Sequence, residues 1–362
     1  MHVGMSVVFQ NPVRARSDYD VYKDELVLAD LAEPLGFESI WGVEHHFTGY
    51  TMSPNVLQFL TYMAGRTTIQ VGSMVVVLPW HDPVRVAEEV AFLDNVSDGR
   101  VILGIGRGLG RVEFDGFRIS MDEARERFVE SAQIVLKGLE DGYVEADGKH
   151  YKIPRRDLRP APFKSFRGRT YSAAVSPESS RIVAELGLGI LIVPQKPWDN
   201  VIEDLDNYRR IYREVNSEEA PAPVVAGWVY CDEDPQRARD LGRHYIGNYY
   251  RTILDHYELA SDHLSKTKGY EYYGQMANVL AEHGSEPATD FFTDLQVYGT
   301  PDQCYDKIAD IMERTGGGTF VAVFRYGDMP LEDSERSLRL FAEKVKPRLQ
   351  ALGVRETVAA GV

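Results

Sequence analysis

Short apolar runs alternate with helical patterns along almost the whole chain of 362 residues, and no other feature constrains the fold as much. The apolar runs predict buried strands, and the patterns between them have the three- and four-residue spacing of helices. Such alternation is typical of parallel strands joined by helical crossovers. Roughly eight strand–helix units favour a closed (β/α)8 TIM barrel over an open, doubly wound sheet.

The predicted strands cover 3–9, 39–43, 69–77, 101–105, 170–174, 189–193, 223–231 and 319–324. The predicted helices cover 21–35, 54–65, 122–139, 177–187, 199–215, 235–258, 301–315 and 333–349, and a further helix begins at Asp82-Pro83. A hairpin with its turn at Asp147-Gly148 is expected over 143–153. An open flavodoxin-like sheet is the alternative, but it would need fewer strands and usually a glycine loop after the first.

The segment 261–290 interrupts the alternation because it is long, polar and rich in aromatic residues. We expect it to be an insertion at the C-terminal face of the barrel, or a lid. Residues 1–350 are expected to form a single barrel domain, and residues 351–362 a flexible tail.

Composition narrows the classes of partner. The chain has 40 basic and 55 acidic residues, a net charge of −15, which disfavours binding to nucleic acid and anionic membranes. No apolar run approaches the roughly 20 residues of a membrane span, and the first residues do not resemble a signal peptide. We therefore expect a soluble, cytoplasmic protein in which Cys231 and Cys304 are free thiols.

Barrel enzymes carry their active sites at the carboxyl ends of the strands, so residues near the end of a predicted strand or shortly after it are the candidates. Four groups satisfy this condition and should meet at one rim: Glu44-His45-His46-Phe47, Met74-Val75, Gly106-Arg107-Gly108-Leu109-Gly110 and Ser176-Pro177-Glu178-Ser179.

These groups suggest proton transfer and phosphate binding. A histidine at a strand end transfers protons near neutral pH, and of the adjacent pair we expect one functional and one structural residue. Arg107 between glycines can bind a phosphate, or can be an exposed arginine in a turn. Ser176 and Ser179 at a helix start can bind the same phosphate, or simply cap the helix. Together they favour a phosphate-bearing cofactor.

Two other types of site are disfavoured. His45, His46, His81 and Glu44 could suggest a metal, but adjacent residues after a strand point to opposite sides and no second cluster has ligand spacing. We therefore predict no metal site. The run Gly104 to Gly108 lacks dinucleotide-loop spacing, because Leu109 occupies the third glycine position.

An ordered set of motifs resembles the bacterial luciferase family, in particular its catalytic α-type subunit, over nearly the whole chain. The motifs are Glu44-His45-His46-Phe47-Thr48, Val71-Gly72, Val77-Leu78-Pro79, Pro83-Val84-Arg85, Ser97-Asp98-Gly99-Arg100, Arg107-Gly108-Leu109, Glu145-Ala146-Asp147, Thr267-Lys268-Gly269-Tyr270 and Gly299-Thr300-Pro301. The set is specific for the family and not for a substrate.

The resemblance implies a flavin-dependent monooxygenase that binds reduced FMN (FMNH2) and reacts it with O2. The family's flavin C4a-(hydro)peroxide oxygenates a carbonyl or another small organic substrate. Because no NAD(P)H motif is visible, a separate NAD(P)H:flavin reductase is implied. A dimer is implied as well, and homodimer and heterodimer both remain open.

The resemblance also implies roles for individual residues. His45 is implied as the catalytic histidine, with Glu44 close to it and to the flavin, and Met74-Val75 matches a non-proline cis peptide beneath the flavin ring. The implied cofactor-binding residues are Glu44, Met74, Val75, Gly106, Arg107, Gly108, Leu109, Val175, Ser176 and Ser179. The implied substrate or lid residues are Lys268, Tyr270 and Tyr272.

Three departures from the family pattern stand near the implied flavin. Gly106 replaces a reactive cysteine and predicts more room there, Val175 replaces an acidic residue, and Val193-Pro194 replaces an aromatic-containing pair. We still expect FMN binding despite these departures, but the sequence assigns neither light emission nor a long-chain aldehyde substrate.

Two alternative functions remain: an F420-dependent dehydrogenase on the same barrel, and a non-catalytic flavin-binding partner subunit. Such partner subunits lack the Arg-Gly-Leu run and the long lid.

Overall fold

Parallel strands and helices alternate along the chain in the computed structural model, which describes residues 1–174 and 176–353. The strands are β1 (His2–Val7), β2 (Ser39–Gly42), β3 (Gln70–Ser73), β4 (Val76–Val77), β5 (Val101–Gly106), β6 (Tyr143–Asp147), β7 (Lys152–Asp157), β8 (Thr170–Ala173), β9 (Gly189–Ile192), β10 (Val224–Cys231), β11 (Val297–Gly299) and β12 (Thr319–Val323). Eight of them pair in parallel in the order β1, β2, β3, β5, β8, β9, β10 and β12, and β12 pairs back onto β1. The predicted (β/α)8 barrel is therefore confirmed.

Helices surround the barrel, and those predicted from the sequence are present. They are α1 (Asp18–Asp30), α2 (Val56–Ala64), α3 (Pro83–Val96), α4 (Arg111–Phe117), α5 (Ala124–Asp141), α6 (Pro177–Glu185), α7 (Trp198–Asn216), α8 (Pro235–His256), α9 (His263–Lys266), α10 (Glu271–His283), α11 (Ser285–Leu295), α12 (Pro301–Thr315), α13 (Leu331–Lys344) and α14 (Lys346–Gln350). Among the residues that the structure describes, no helix is both long and apolar enough to cross a membrane.

Local sequence signals fix several helix starts. Asp82 accepts hydrogen bonds from the backbone N–H groups of Val84 and Arg85, and Pro83 occupies the first position of α3, as predicted. Thr300 and Gln303 form a reciprocal capping box at the start of α12. These caps satisfy N–H groups that have no partner inside the helix.

A layer of apolar side chains fills the barrel below the carboxyl ends of its strands. Trp41 is fully buried there and packs in one cluster with Ile102, Leu191, Val224 and Val321. Gly72 on β3 makes room for the indole, because a Cβ at that position would lie 2.4 Å from Trp41. Since this layer closes the barrel interior, a ligand has room only above it.

The structure divides two of the predicted elements and adds two others. The predicted strand 69–77 is divided into β3 and β4 by Met74 and Val75, and β4 pairs with β5. The predicted helix 333–349 ends at Lys344 and restarts as α14, because Pro347 cannot continue the hydrogen-bond ladder from α13. Helix α4 and strand β11 were not predicted.

The remaining regions agree closely with the predictions from the sequence. The hairpin is confirmed, since β6 and β7 pair in antiparallel fashion from Tyr143–Asp157 to Asp147–Lys152. The segment 261–290 is helical and contains α9, α10 and the first part of α11. The expected tail lies largely outside the described residues, which end at 353.

Candidate active site

A cavity opens at the carboxyl ends of the barrel strands, where the sequence predicted the site. Its wall includes residues at or close to the ends of seven barrel strands, residues from the middle of β10, and side chains from α5, α6, α8 and α10. The predicted site residues on this wall are Glu44, His45, Met74, Val75, Gly106, Arg107, Gly108, Leu109 and Ser179. The four groups singled out from the sequence therefore share one cavity.

Two guanidinium groups line one side of the cavity, from Arg107 after β5 and from Arg125 on α5. Both donate to the carbonyl oxygen of Gly269, Arg107 Nη1 at 2.7 Å and Arg125 Nη2 at 3.0 Å. Arg125 also pairs with Glu178. Because a guanidinium has five N–H donors, the two groups retain donors for an anion between them. Arg125 is not among the predicted site residues, because it lies on a helix and does not follow a predicted strand.

The N-terminus of α6 lies beside this cationic side. Ser179 lines the cavity, while Ser176 is the N-cap, accepting from the backbone N–H of Ser179 at 3.2 Å and contacting its hydroxyl at 2.8 Å. Capping is thus one observed role of Ser176. The positive end of a helix dipole next to two arginines is nevertheless well suited to a phosphate. Val175, which the resemblance implies as a cofactor-binding residue, lies outside the described residues.

The segment after α9 closes over this side of the cavity. Tyr270 is buried, its ring centre lies 3.9 Å from the guanidinium carbon of Arg107, and its hydroxyl donates to Gly108 O at 2.9 Å. Gly108 has φ +82°, and a Cβ there would lie 2.8 Å from Val77. The glycine is therefore required both by the backbone conformation and by the close packing.

Two of the predicted lid residues have surface positions. Lys268 pairs with Glu126 of α5 at 3.1 Å, and Tyr272 is 42% exposed. Tyr273, which the sequence analysis did not single out, lines the cavity instead. The helical turn of α10 explains this, since adjacent tyrosines on a helix point about 100° apart.

His45 is held by a carboxylate from α4. Its Nδ1–H donates to Glu113 Oε1 at 3.0 Å, which fixes the tautomer because an ionised carboxylate can only accept. The same oxygen accepts from the backbone N–H of His46 at 2.9 Å. The other ring nitrogen, Nε2, lies 3.4 Å from the hydroxyl of Tyr257, and both residues line the cavity. His45 therefore presents Nε2 to the cavity for proton exchange.

Glu113 is fully buried between two imidazoles. Its Oε2 lies 3.4 Å from His256 Nε2, although neither atom has a well-directed hydrogen bond. Burial by itself would raise the pKa of Glu113, but the facing His45 and His256 outweigh it and lower the pKa to about 2. Candidate ligand atoms of the three residues lie within 4.8 Å of one another, so they could also hold a cation. The candidate metal ligands considered from the sequence were different, namely Glu44, His45, His46 and His81.

Glu44 forms hydrogen bonds with His46 and His81, whereas the resemblance implied a position close to His45. Its carboxylate accepts from His46 Nε2 at 3.1 Å, from His81 Nε2 and from the backbone N–H of Val77 at 3.0 Å. Burial would raise the pKa of Glu44, but these three donors lower it overall. Glu44 lies on the cavity wall as expected, whereas its hydrogen bonds join the loop after β2 to β4 and to His81 and do not reach His45.

The peptide bond between Met74 and Val75 is cis, as the resemblance implies. The extra room predicted at Gly106 is not open, because a Cβ on Gly106 would lie 2.4 Å from Val75 Cγ2. The valine methyl thus occupies the space that a side chain at position 106 would need. Leu109 and Val193 lie on the same wall.

The wall also contains polar atoms without partners. Ser172 Oγ and the indole nitrogens of Trp80 and Trp228 are buried and make no hydrogen bond to the described residues. These atoms are themselves buried, so they offer no free surface to a ligand in the cavity. Two arginines and a helix N-terminus beside a largely apolar cavity fit the phosphate and the ring of FMN.

The residues missed by sequence reasoning are Glu113, Arg125, His256 and Tyr257. Three of them lie on helices and Tyr257 directly follows α8. The pattern of a helix shows its apolar face but does not show which of its polar residues points into the barrel. The rule that selected residues at or shortly after strand ends could not reach them. Glu113 lies on α4, a helix of seven residues that was itself not predicted.

The family model described as luciferase-like monooxygenase matches residues 1–319. The chain therefore belongs to the luciferase-like monooxygenase family, as the motifs indicated. It is 28% identical over 339 residues to an alkanal monooxygenase alpha chain of Photorhabdus luminescens, covering 92% of this chain and 93% of that one.

Solved structures show the same architecture. The monooxygenase RslO1 from Streptomyces bottropensis has a TM-score of 0.80 at 28% identity, covering 96% of this chain and all of that one. Two more distant structures show the fold alone. The oxygenating constituent of 3,6-diketocamphane monooxygenase from Pseudomonas putida, in complex with FMN, has a TM-score of 0.71 at 20% identity, covering 96% and 98%. The F420-dependent tetrahydromethanopterin reductase from Methanopyrus kandleri has a TM-score of 0.65 at 19% identity, covering 96% and 99%.

Proposed function

We propose that the protein is a monooxygenase that uses FMNH2 and O2 to oxygenate a carbonyl or another small organic substrate. The observation that carries the proposal is that Arg107 and Arg125 open into the same cavity as the His45–Glu113 pair. An anion site and a proton-transfer site sharing one cavity match a phosphate-bearing redox cofactor with chemistry at its ring. Reduced FMN, when bound, would supply the two electrons that O2 requires, so that one oxygen atom enters the substrate and the other leaves as water.

The phosphate would be held by Arg107, Arg125 and Ser179 with the N-terminus of α6. The ring would lie along Met74, Val75 and Gly106, and Glu44, Gly108, Leu109, Val175 and Ser176 would shape the surroundings. His45 would hold or deliver a proton at Nε2. The segment that carries Tyr270 would exclude water from the reacting atoms.

The source of the reduced flavin, the cellular location and the oligomeric state are also part of the proposed function. FMNH2 would come from a separate NAD(P)H:flavin reductase. The chain would act in the cytoplasm as a dimer, homo- or heteromeric, with residues 1–350 as one domain.

The decisive experiment measures binding and oxygen reactivity of photoreduced FMN. Anaerobic titration should show binding of FMNH2, and rapid mixing with O2 should give a transient near-ultraviolet band distinct from free reduced and oxidised FMN. Incorporation of ¹⁸O from labelled O2 into an organic product would establish oxygenation. Binding of F420 without binding of FMNH2 would support the dehydrogenase alternative. Binding of FMNH2 with oxygen reactivity no different from free FMNH2 would support the non-catalytic alternative.

A further inference from the structure

The hydroxyl of Tyr257 lies beside the ring nitrogen of His45 that faces the cavity. Tyr257 directly follows α8, and its backbone N–H donates to Ile253 O at 3.0 Å, so the residue is held at the end of that helix. The hydroxyl lies 3.4 Å from His45 Nε2. Both residues are partly exposed and both line the cavity, so a ligand there meets the two side chains together.

The hydrogen bonds of His45 determine the direction of this contact. Its Nδ1–H donates to Glu113, so in the neutral imidazole Nε2 carries no proton and can only accept. The Tyr257 hydroxyl is then the donor. When Nε2 is protonated, its N–H donates to the phenol oxygen instead. A hydroxyl serves both protonation states of His45 because it can donate and accept.

The phenol of Tyr257 is held in place by neighbouring rings. Its ring centre lies 4.8 Å from that of His256, 5.6 Å from that of Tyr50 and 6.0 Å from that of His45. Tyr50 also packs against His45, with the ring centres 4.8 Å apart. This packing limits movement of the ring, whereas the O–H bond can rotate to suit its partner.

Tyr257 remains protonated in the resting protein. Burial, with Tyr50 and Glu113 as neighbours, raises the pKa of Tyr257 well above 10, so the phenol is neutral at physiological pH. Because a phenolate is not a resting form, a proton that leaves this oxygen has to be replaced in the same step. His45 Nε2 is within reach to supply the replacement.

We propose that Tyr257 is a second catalytic residue, whose hydroxyl relays a proton between His45 Nε2 and a reacting atom in the cavity. In one direction the phenol O–H bond breaks as its proton passes to the reacting atom, and the phenol oxygen takes the proton from Nε2. His45 thereby changes from imidazolium to neutral imidazole, and Tyr257 is regenerated. The reverse transfer removes a proton from a ligand.

The inference rests on the proposed function only in identifying the reacting atom, since the contact between His45 and Tyr257 belongs to the protein itself. At 3.4 Å the contact is longer than a strong hydrogen bond. Catalytic hydrogen bonds are often long before a ligand binds and shorten in the complex.

The contact can be tested without flavin by ¹⁵N NMR of the full-length protein labelled in histidine, with His45→Ala assigning the His45 resonances by their loss. At a pH at which the spectrum shows His45 to be neutral, Tyr257→Phe should shift the Nε2 resonance away from the value of a protonated nitrogen. Nδ1, held by Glu113, should stay nearly in place. Tyr257→3-fluorotyrosine introduces a more acidic phenol, which is a stronger donor and should shift Nε2 in the opposite direction.

The relay itself can be tested by the oxidation of bound FMNH2 by O2 in mixtures of H2O and D2O. Without an organic substrate the reaction yields FMN and H2O2. The rate of the wild type should depend on the deuterium fraction along a curve, because two protons move in one step. Tyr257→Phe should give a straight line and a rate lower by about tenfold or more. Its Kd for FMN should change by less than about threefold.

Tyr245→Phe is the matched control, because Tyr245 lies on α8 but its hydroxyl donates to Asp333 at 2.6 Å, and it is not among the described residues that line the cavity. It should leave both measurements unchanged. The proposal is overturned if Tyr257→Phe leaves the Nε2 resonance in place, if the wild-type dependence is linear, or if that of Tyr257→Phe stays curved. Should the Nε2 shift be observed while FMNH2 fails to bind the wild type, the proposed function fails and Tyr257 remains the hydrogen-bond partner of His45.

Discussion

His45 Nδ1 lies 3.0 Å from Glu113 Oε1, joining the loop after β2 to helix α4 at the edge of the cavity. The carboxylate is fully buried and also holds the backbone N–H of His46. The imidazole is thus oriented by a charged group that itself has little freedom to move. This arrangement leaves Nε2 as the nitrogen that faces the cavity.

Removing the imidazole of His45 should reduce turnover without weakening flavin binding. We expect His45→Ala to lower turnover by about 10²-fold or more, because general acid–base groups contribute about that much. FMN affinity should change by less than about threefold, since the proposed phosphate contacts are elsewhere. Turnover and FMN titration measure the two effects, with exposed His283→Ala as the matched control. Unchanged turnover would remove His45 from the mechanism.

Neutralising Glu113 should change the pH dependence of the reaction. The facing His45 and His256 lower its pKa to about 2, so the carboxylate is ionised throughout the working range and places a negative charge beside the His45 imidazole. Gln can still accept both hydrogen bonds but lacks the charge. We therefore expect Glu113→Gln to change the pH–rate profile, because the negative charge beside the imidazole is lost while both hydrogen bonds remain.

The control for this charge effect is Glu258→Gln, a half-exposed carboxylate paired with Arg111 at the surface. It should leave the pH–rate profile in place. A profile for Glu113→Gln that superimposes on the wild-type profile would show that Glu113 has a structural role only.

The two cavity arginines should act on the phosphate and not on the flavin ring. Arg107→Ala and Arg125→Ala should each raise the Kd for FMN by about 10- to 100-fold, the range expected for a lost charge-assisted hydrogen bond. Riboflavin, which lacks the phosphate, should bind each variant as it binds the wild type. Fluorescence titration with both flavins measures the contrast.

Arg127→Ala is a suitable control because Arg127 lies on the same helix as Arg125 but pairs with Glu123. It should affect neither flavin. An equal loss of FMN and riboflavin affinity in Arg107→Ala would indicate that the Arg107–Tyr270 contact acts by closing the lid, without a role for the phosphate.

The barrel could be predicted because each strand is a nearly continuous apolar run, and a buried parallel strand permits little else. The same logic placed His45 and Arg107 correctly on the cavity wall, since each directly follows a strand. Glu113 and His256 could not be found in this way. Each is a polar residue on a helix, and the sequence does not show that both point towards His45 from α4 and α8.

Neighbouring side chains decide other details that no local pattern contains. Gly106 suggested open space, yet Val75 fills it, because the chain between β3 and β4 brings the valine against β5. Lys268 and Tyr270 are two residues apart, but only the tyrosine is buried against Arg107. Side-chain direction in an irregular segment depends on tertiary packing, which periodicity does not encode.

Glu25 should make stability depend on pH. Burial, opposed by Arg325, raises its pKa to about 7, and its Oε2 has no partner in the described structure. Between the unfolded value of 4.5 and about 7, the unfolded state ionises while the folded state keeps the proton, so stability falls as pH rises through this window. Glu25→Gln should therefore gain about 1–3 kcal/mol relative to wild type from about pH 5 to about pH 8.

Urea unfolding across this pH range measures the difference. Glu88→Gln, on a partly exposed residue paired with Arg85, serves as the control and should show a pH-independent offset. A constant offset for Glu25→Gln as well would mean that Glu25 is ionised in the folded protein over the whole range.

The contact between Gly106 and Val75 should appear as an energetic coupling. A Cβ at position 106 would lie 2.4 Å from Val75 Cγ2, so Gly106→Ala should destabilise the fold by about 1–3 kcal/mol through overpacking. Val75→Ala removes the clashing methyl groups, and the double variant should recover much of the loss, giving a coupling of about 1 kcal/mol or more. Gly65→Ala, whose nearest neighbour would be 3.8 Å away, should change stability by less than about 1 kcal/mol. Chemical unfolding of the four members of the cycle measures the coupling, and additive effects would mean that Val75 moves aside without cost.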